Sequence, residues 1–219
     1  GTAERRVPSM LKEDKPVNVT ADALDYDGSA SKAVYSGSAQ LWQDETSIKG
    51  KTIVLDEKTG DVSAAGGAAT VTIREEPDKN KKMQRVRSVA TATDFHYEDA
   101  ARKATYTGSA HMTSPSGDLA ATKIELYLGA TSDSLSRVEA YETVTLRDEG
   151  RVTTGSRLTY TTADERYVIG GAPVKVLDQC RRETVGKTLT YVKSTDTVTI
   201  DGNLQTRTQT TSSGNGQCR

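Results

Sequence analysis

The sequence predicts an all-β chain: an open two-sheet β-jellyroll, or sandwich, built from three tandem double-hairpin repeats. Three observations predict it. Apolar residues recur with a two-residue period from Val17 onward, a strand-like phrase returns at near-constant spacing, and no stretch carries apolar residues at helical spacing between helix caps. The phrase is Ala21-Asp22-Ala23-Leu24-Asp25-Tyr26-Asp27, followed by Ala33-Val34-Tyr35-Ser36-Gly37-Ser38-Ala39-Gln40-Leu41. It returns as Thr93–Tyr97 with Ala104–Ala110, and in eroded form as Ser156–Tyr160 with Tyr167–Ala172. Gly37 to Gly108 is 71 residues and Gly108 to Gly170 is 62, while Ile53 to Ile124 is again 71 and Ile124 to Leu189 is 65.

In chain order, residues 1–16 are polar, carry Pro8 and Pro16, show no periodicity and read as a leader or linker. A single β-jellyroll is expected over residues 17–207, with repeats at about 17–74, 86–147 and 151–207, and a tail over 208–219. Val17-Asn18-Val19-Thr20 alternates, and the phase breaks between Ala23 and Leu24, which suggests a bulge. Tyr35, Gly37, Ala39 and Leu41 share one face of the next strand. A second hairpin joins Gly50–Leu55 to Val62–Gly66 through Asp56-Glu57-Lys58-Thr59-Gly60-Asp61, whose acidic start and late Gly suit a type I turn with a glycine bulge. The loop Glu75–Lys82 absorbs a cheap insertion between the first two repeats.

Composition narrows the function classes. Hydrophobic residues are 34% of the 219 and aromatics 5%, with one Trp and one Phe against nine Tyr, so a thin core shared between stacked units fits better than one bulky core. A net charge of −1 gives no global attraction to nucleic acid. No run approaches the roughly 20 apolar residues of a membrane helix. The sequence begins at Gly1 without a Met, which leaves any signal peptide or anchor outside it. Cys180 and Cys218 lack metal-ligand spacing. They either pair, pinning the C-terminal tail by about 4 kcal/mol in the chain-entropy model, or stand as unrelated thiols.

A hairpin with one apolar face needs a second sheet to cover it, so the repeats stack into two facing sheets that grow along one axis. The inward row is expected to comprise Leu24, Tyr26, Tyr35, Leu41, Ile53, Leu55, Phe95, Tyr97, Tyr106, Met112, Ile124, Leu126, Leu146, Leu158, Tyr160, Val168, Leu189 and Tyr191, with Val62, Val71, Ile73, Val138, Val144, Val174, Val198 and Ile200 between them. The recurring Gly and Ala either let the sheets approach or leave room for a ligand. An open stack also exposes strand edges at both ends, here Val17–Thr20 and Thr197–Arg207, which invite β-augmentation unless residues 1–16 and 208–219 cover them.

The phrase Ala21-Asp22-x-Leu24-Asp25-Tyr26 with Tyr35-x-Gly37-x-Ala39, continued by Ile53-x-Leu55-Asp56-Glu57-x-Thr59-Gly60-Asp61-Val62-x-Ala64-x-Gly66, resembles the OstA/LptA-like family of lipopolysaccharide-transport proteins. The likeness spans about Val17 to Gln205, strongest in the first repeat. It implies a periplasmic jellyroll of two V-shaped sheets that holds the acyl chains of lipopolysaccharide in its slot. It also implies stacking with neighbouring jellyrolls, or with its own copies, through terminal strands to bridge inner and outer membranes. The inward row is then the lipid-contacting row. The resemblance implies no cofactor, no metal and no catalysis.

Two rival readings have specific residues behind them. His96 shares a strand face with Asp94 and Glu98, and His111 is the second histidine, but the bland reading is an exposed polar face without a nucleophile elbow or phosphate loop. A structural or polysaccharide-binding β-repeat protein is the other, weakened by Trp42 being the sole tryptophan. The basic segment Lys79–Arg85 either meets lipid phosphates or is a solvated loop.

Overall fold

The computed structural model describes residues 6–12, 14–77, 82–115, 117–129, 134–148, 150–195, 197–202 and 207–211. Its strands are β1 (Asn18–Thr20), β2 (Ala23–Asp27), β3 (Lys32–Gln43), β4 (Thr46–Asp56), β5 (Asp61–Pro77), β6 (Met83–Glu98), β7 (Lys103–Ser114), β8 (Gly117–Leu128), β9 (Leu135–Asp148), β10 (Arg151–Thr161), β11 (Arg166–Leu177), β12 (Glu183–Val192), β13 (Thr197–Asp201) and β14 (Arg207–Thr211). They run antiparallel in one sheet, each beside its successor from β3 to β14. β1 pairs with Gln40–Trp42 and β2 with Lys32–Ser36, so together they form one edge strand broken at Ala21-Asp22. One turn of 3-10 helix, Lys193–Thr195, is the sole helical element among the described residues.

Turn chemistry ends the strands where the sequence predicts. The Asp56 carboxylate accepts the amides of Lys58 (3.0 Å) and Thr59 (3.1 Å), and Gly60, at φ +82°, donates to the Asp56 carbonyl at 2.8 Å. This closes the β4–β5 turn.

A line of irregularities crosses the sheet at mid-strand. The register shifts between Ser36 and Ala39 in β3, Ala65 and Ala68 in β5, Thr107 and Ala110 in β7, Gly155 and Arg157 in β10, and Gly170 and Val174 in β11. In four strands two successive residues take positive φ: Gly37-Ser38, Gly66-Gly67, Gly108-Ser109 and Glu142-Thr143. Such a pair breaks the pleat and turns the strand out of its plane. Gly37 is also closed to any side chain, because an added Cβ would lie 2.1 Å from Asp22 Oδ2; at Gly108 the obstacle is Thr93 Oγ1, at 2.5 Å. At Gly37 and Gly108 the missing side chain serves the bend.

Folded along this line, the sheet becomes two facing layers, the jellyroll that the sequence predicts. The first layer holds the strand halves joined at Asp56–Asp61, Glu98–Lys103 and Thr161–Arg166. The second holds those joined at Gln43–Thr46, Ser114–Gly117, Asp148–Arg151 and Leu177–Glu183. Thr70 of the second layer and Tyr106 of the first share a buried hydrogen bond of 2.7 Å between their hydroxyls, which fixes the two faces toward each other. One continuous apolar cluster fills the space between, from Leu11, Leu41 and Ile48 at one end to Leu189, Tyr191 and Ile200 at the other.

Several expectations need correction. Val168 faces outward, opposite Thr159, whereas Tyr167 and Ile169 point into the core opposite Tyr160 and Leu158. In an unbroken apolar run, alternation cannot set the phase; the tyrosine pair does. Val71 and Ile73 likewise face out, because the two-residue corner at Gly66-Gly67 resets the phase and turns Ala68 and Thr70 inward. The first three residues of the expected loop Glu75–Lys82 are strand, with Glu75, Glu76 and Pro77 paired to Arg85, Gln84 and Met83; residues 78–81 lie outside the described set. The expected C-terminal edge is not the last strand, since β14 pairs outside β13. The described part of the segment read as a leader packs instead on the core, with Leu11 buried and Val7 and Met10 against it.

Candidate functional site

The space between the layers is the candidate site, and it changes character along its length. Near β3–β7 it is filled: Leu41, Ile48, Ile53, Phe95 and Tyr97 are fully buried. The Phe95 and Tyr106 rings meet at 5.0 Å. Toward β9–β13 it leaves a small cleft of about 20 Å³, lined by Leu146, Thr153 and Val176 from the second layer and by Tyr167, Ile169, Leu189, Tyr191 and Val198 from the first. Tyr167 and Tyr191 line one wall, and Tyr160 on the next strand extends their stack beyond the cleft. Tyr160 stacks on Tyr167 at 4.3 Å, and Tyr167 on Tyr191 at 5.8 Å. These are cross-strand neighbours on one face, so the pairing register sets the ladder.

The rim of this cleft is polar. Arg151 places its guanidinium over the Tyr191 ring at 4.4 Å, with Asp148 beside it in the lining. Burial, followed by the neighbouring Tyr160 and Asp148, raises the Tyr167 hydroxyl above the usual tyrosine value, which keeps it neutral. The cleft offers apolar and aromatic surface with a charged lip.

Of the predicted inward residues, Leu41, Ile53, Phe95, Tyr97, Tyr106, Ile124, Leu146, Leu158, Leu189 and Tyr191 are buried. Tyr35, Leu55, Met112, Leu126 and Tyr160 are partly buried against the same cluster. Leu24 and Tyr26 are 59% and 44% exposed. They stand opposite Tyr35 and Ala33, so their face is the inner one; they lie on the edge strand, where no further strand covers them. In the cleft itself the structure gathers Leu146, Leu189 and Tyr191 from that set, and leaves the others in the packed part or at the edge.

Sequence reasoning missed Tyr167, Ile169, Val176 and Ile48 as core or cleft residues; the usable signal was Tyr167 directly across a turn from Tyr160. It also missed a charged staple on the outer face. Glu125 and Glu139 stand directly opposite each other on β8 and β9, both more than nine-tenths buried. Facing like charges repel, but here cations and phenols surround them. Glu125 accepts from Lys123 (3.0 Å), Tyr127 (2.9 Å) and Tyr141 (3.1 Å), and Glu139 pairs with Arg137 (3.2 Å) and Arg157 (2.9 Å) and accepts from Tyr141. Burial alone raises the Glu125 carboxyl, and the hydrogen bonds from Lys123, Tyr127 and Tyr141 outweigh it, so the net effect holds it below the ordinary glutamate value.

The histidines have no comparable setting. Asp94 and His96 are exposed on the outer face, and His111 bonds Asp118 at 2.5 Å on the surface. Among the described residues no group of three or more His, Cys, Asp or Glu is placed to hold a metal ion. Cys180 is disulfide-bonded; Cys218 lies outside the described residues. So do residues 79–81 of the basic segment Lys79–Arg85, of which Arg85 pairs with Glu45.

No curated protein matches this chain. Among solved structures it is similar to LptH of Pseudomonas aeruginosa, described as the LptA-homologous periplasmic component of the conserved lipopolysaccharide transport device. The identity is 22% over 56% of this chain and 78% of that one, with a TM-score of 0.44. The family model described as LptA/(LptD N-terminal domain) LPS transport protein matches twice, over residues 18–117 and 89–197. Those stretches take in every strand from β1 to β12, both walls of the slot and most of the cleft. The chain belongs to the LptA and LptD N-terminal-domain family of lipopolysaccharide transport proteins.

Proposed function

We propose that this protein works in the periplasm as a carrier that shelters acyl chains of lipopolysaccharide between its two layers. In this reading it hands them along a row of jellyrolls joined end to end, between inner and outer membrane. The observation that carries the reading is the apolar cleft lined from both layers at the β9–β13 end. Each methylene moved from water into such a space gains about 0.8 kcal/mol, so a chain of about a dozen carbons gains around 10 kcal/mol before ordering costs. Slots of similar apolarity in successive carriers make transfer nearly level in free energy, and an external push then sets direction. The ligand needs no chemistry for this, so the reading assigns no catalytic residue.

End-to-end joining falls to the two sheet edges. One is the broken strand β1–β2, with Leu24 and Tyr26 exposed on its inner face; the other is β14. Among the described residues no strand pairs outside either edge, which leaves each open to a partner strand, that of a neighbouring carrier or of a second copy.

A photo-crosslinking amino acid at Val198, half-buried in the cleft, should capture lipopolysaccharide in cells. The same residue at Val168, outward on the neighbouring strand pair, should not. Equal capture at both positions, or capture at Val168 alone, would remove the slot from the account.

A further inference from the structure

The segment from Arg6 to Lys15 lies outside the meander but is tied to both of its rims. Arg6 N donates to the Glu57 carbonyl at 2.9 Å, and Ser9 N to Asp99 Oδ1 at 2.6 Å; the Ser9 and Tyr97 hydroxyls meet at 2.8 Å. Glu57 and Asp99 sit in the β4–β5 and β6–β7 turns, on the rim of the first layer. Further along, the Lys12 amide donates to Gln43 Oε1 at 2.6 Å. Gln43 Nε2 donates to the carbonyls of Lys12 (2.8 Å) and Lys15 (2.9 Å), and the Lys15 ammonium pairs with Asp44. Gln43 and Asp44 belong to the β3–β4 turn, on the rim of the second layer.

The segment therefore crosses the open side of the folded sheet from one rim to the other. On the way it lowers Pro8 and Leu11 into the space between the layers. Leu11 is 4% exposed and joins the cluster that contains Leu41, Ile48, Phe95 and Tyr97. Gln43 is a second, independent sign that the crossing is built in. It is 4% exposed, and its carbonyl and both amide hydrogens are matched by main-chain groups of this one segment. A buried amide so committed gives up three main-chain bonds if the segment leaves, which anchors the segment on this rim.

We infer that residues 6–15 are a clasp that closes the β3–β7 part of the slot and is displaced by a ligand chain that advances into it. The inference rests on the reading of the inter-layer space as an acyl slot. An acyl chain enters the open cleft beside Tyr191 first, and reaches Leu41 and Ile48 only after Pro8 and Leu11 withdraw. The clasp sets how much of the slot a bound chain fills.

The test is site-resolved NMR with the full chain and stearate spin-labelled at carbon 16. In the intact protein, broadening should be confined to amides around Ile169, Leu189 and Tyr191. In Leu11→Asp it should extend to Leu41 and Ile48, with roughly tenfold tighter binding because Leu11 no longer competes. Gln43→Glu, which loses both donor bonds to the segment, should give the same pattern should Leu11→Asp fold poorly. Broadening at Leu41 and Ile48 in the intact protein equal to that in the variants would overturn the clasp. If the probe broadens neither region in any form, the acyl-slot reading fails instead. Hydrogen exchange then decides the clasp alone: slow exchange at Ser9 and Lys12, lost in Gln43→Glu, upholds it, and fast exchange in the intact chain overturns it.

Discussion

The two ends of the slot are made from the same repeated phrase and behave differently. At the β3–β7 end, Gly37 and Gly108 hold positive φ, Asp22 and Thr93 occupy the space a side chain there would need, and the interior is filled by Ile48, Ile53, Phe95 and Tyr97. At the β10–β13 end, Gly170 stands at the corresponding register shift without positive φ, nothing approaches the site of its missing Cβ, and a cleft opens beside it. The glycine corners at Gly37 and Gly108 stand at the filled end, and the relaxed one at Gly170 stands beside the cleft. The difference teaches that filling of the inter-layer space varies with the bend, two or three residues from the side chains that line it.

The largest test of this contrast lies in the interior. Ile48→Ala should cost about 3–4 kcal/mol, because a fully buried side chain leaves a cavity that its neighbours cannot fill, while Val198→Ala beside an existing cleft should cost about 1 kcal/mol. Urea midpoints of the two variants measure it, and equal losses would mean that the β10–β13 end is as tightly packed as the other. The corners come next. Gly37→Ala forces a side chain into positive φ against Asp22 and should cost about 2 kcal/mol or more, whereas Gly170→Ala should stay within about 0.5 kcal/mol. A Gly170→Ala loss as large as that at Gly37 would erase the distinction between the bends.

The smallest effect concerns the staple that spans β8–β10 on the outer face between these ends. The Glu125 carboxyl is held below its ordinary value of 4.5, so the unfolded chain takes up the proton first as pH falls. Its contribution is complete above that value and drains away below it. Thermal melts at falling pH should therefore show a shallower acid loss in Glu125→Gln than in the parent. Parallel curves would show that the surrounding Lys123, Tyr127 and Tyr141 do not favour the charged form.

Much of the fold was legible because strand period and turn chemistry are local. Asp56 through Gly60 encodes its own turn, and the spacing from Gly37 to Gly108 marks the same bend twice. Phase was legible only where polar and apolar residues alternate. Tyr167-Val168-Ile169 offers three apolar side chains, and Val71 follows a two-glycine corner that resets the count, so tertiary pairing settled both. The corner at Glu142-Thr143 had no glycine to announce it. The Val7-Pro8-Ser9-Met10-Leu11 cluster was hidden by its polar surroundings, since a short apolar group with no period shows its role only once the two rims that it joins are in place.

The most direct measurement of the central claim is a set of intermolecular NOEs between the protein and lipopolysaccharide with carbon-13 in its acyl chains. The account predicts contacts from chain methylenes to the methyl groups of Ile169, Leu189 and Val198, with none to Val168 or Val185. Contacts confined to Val168, Val185 and other outward methyls would contradict it.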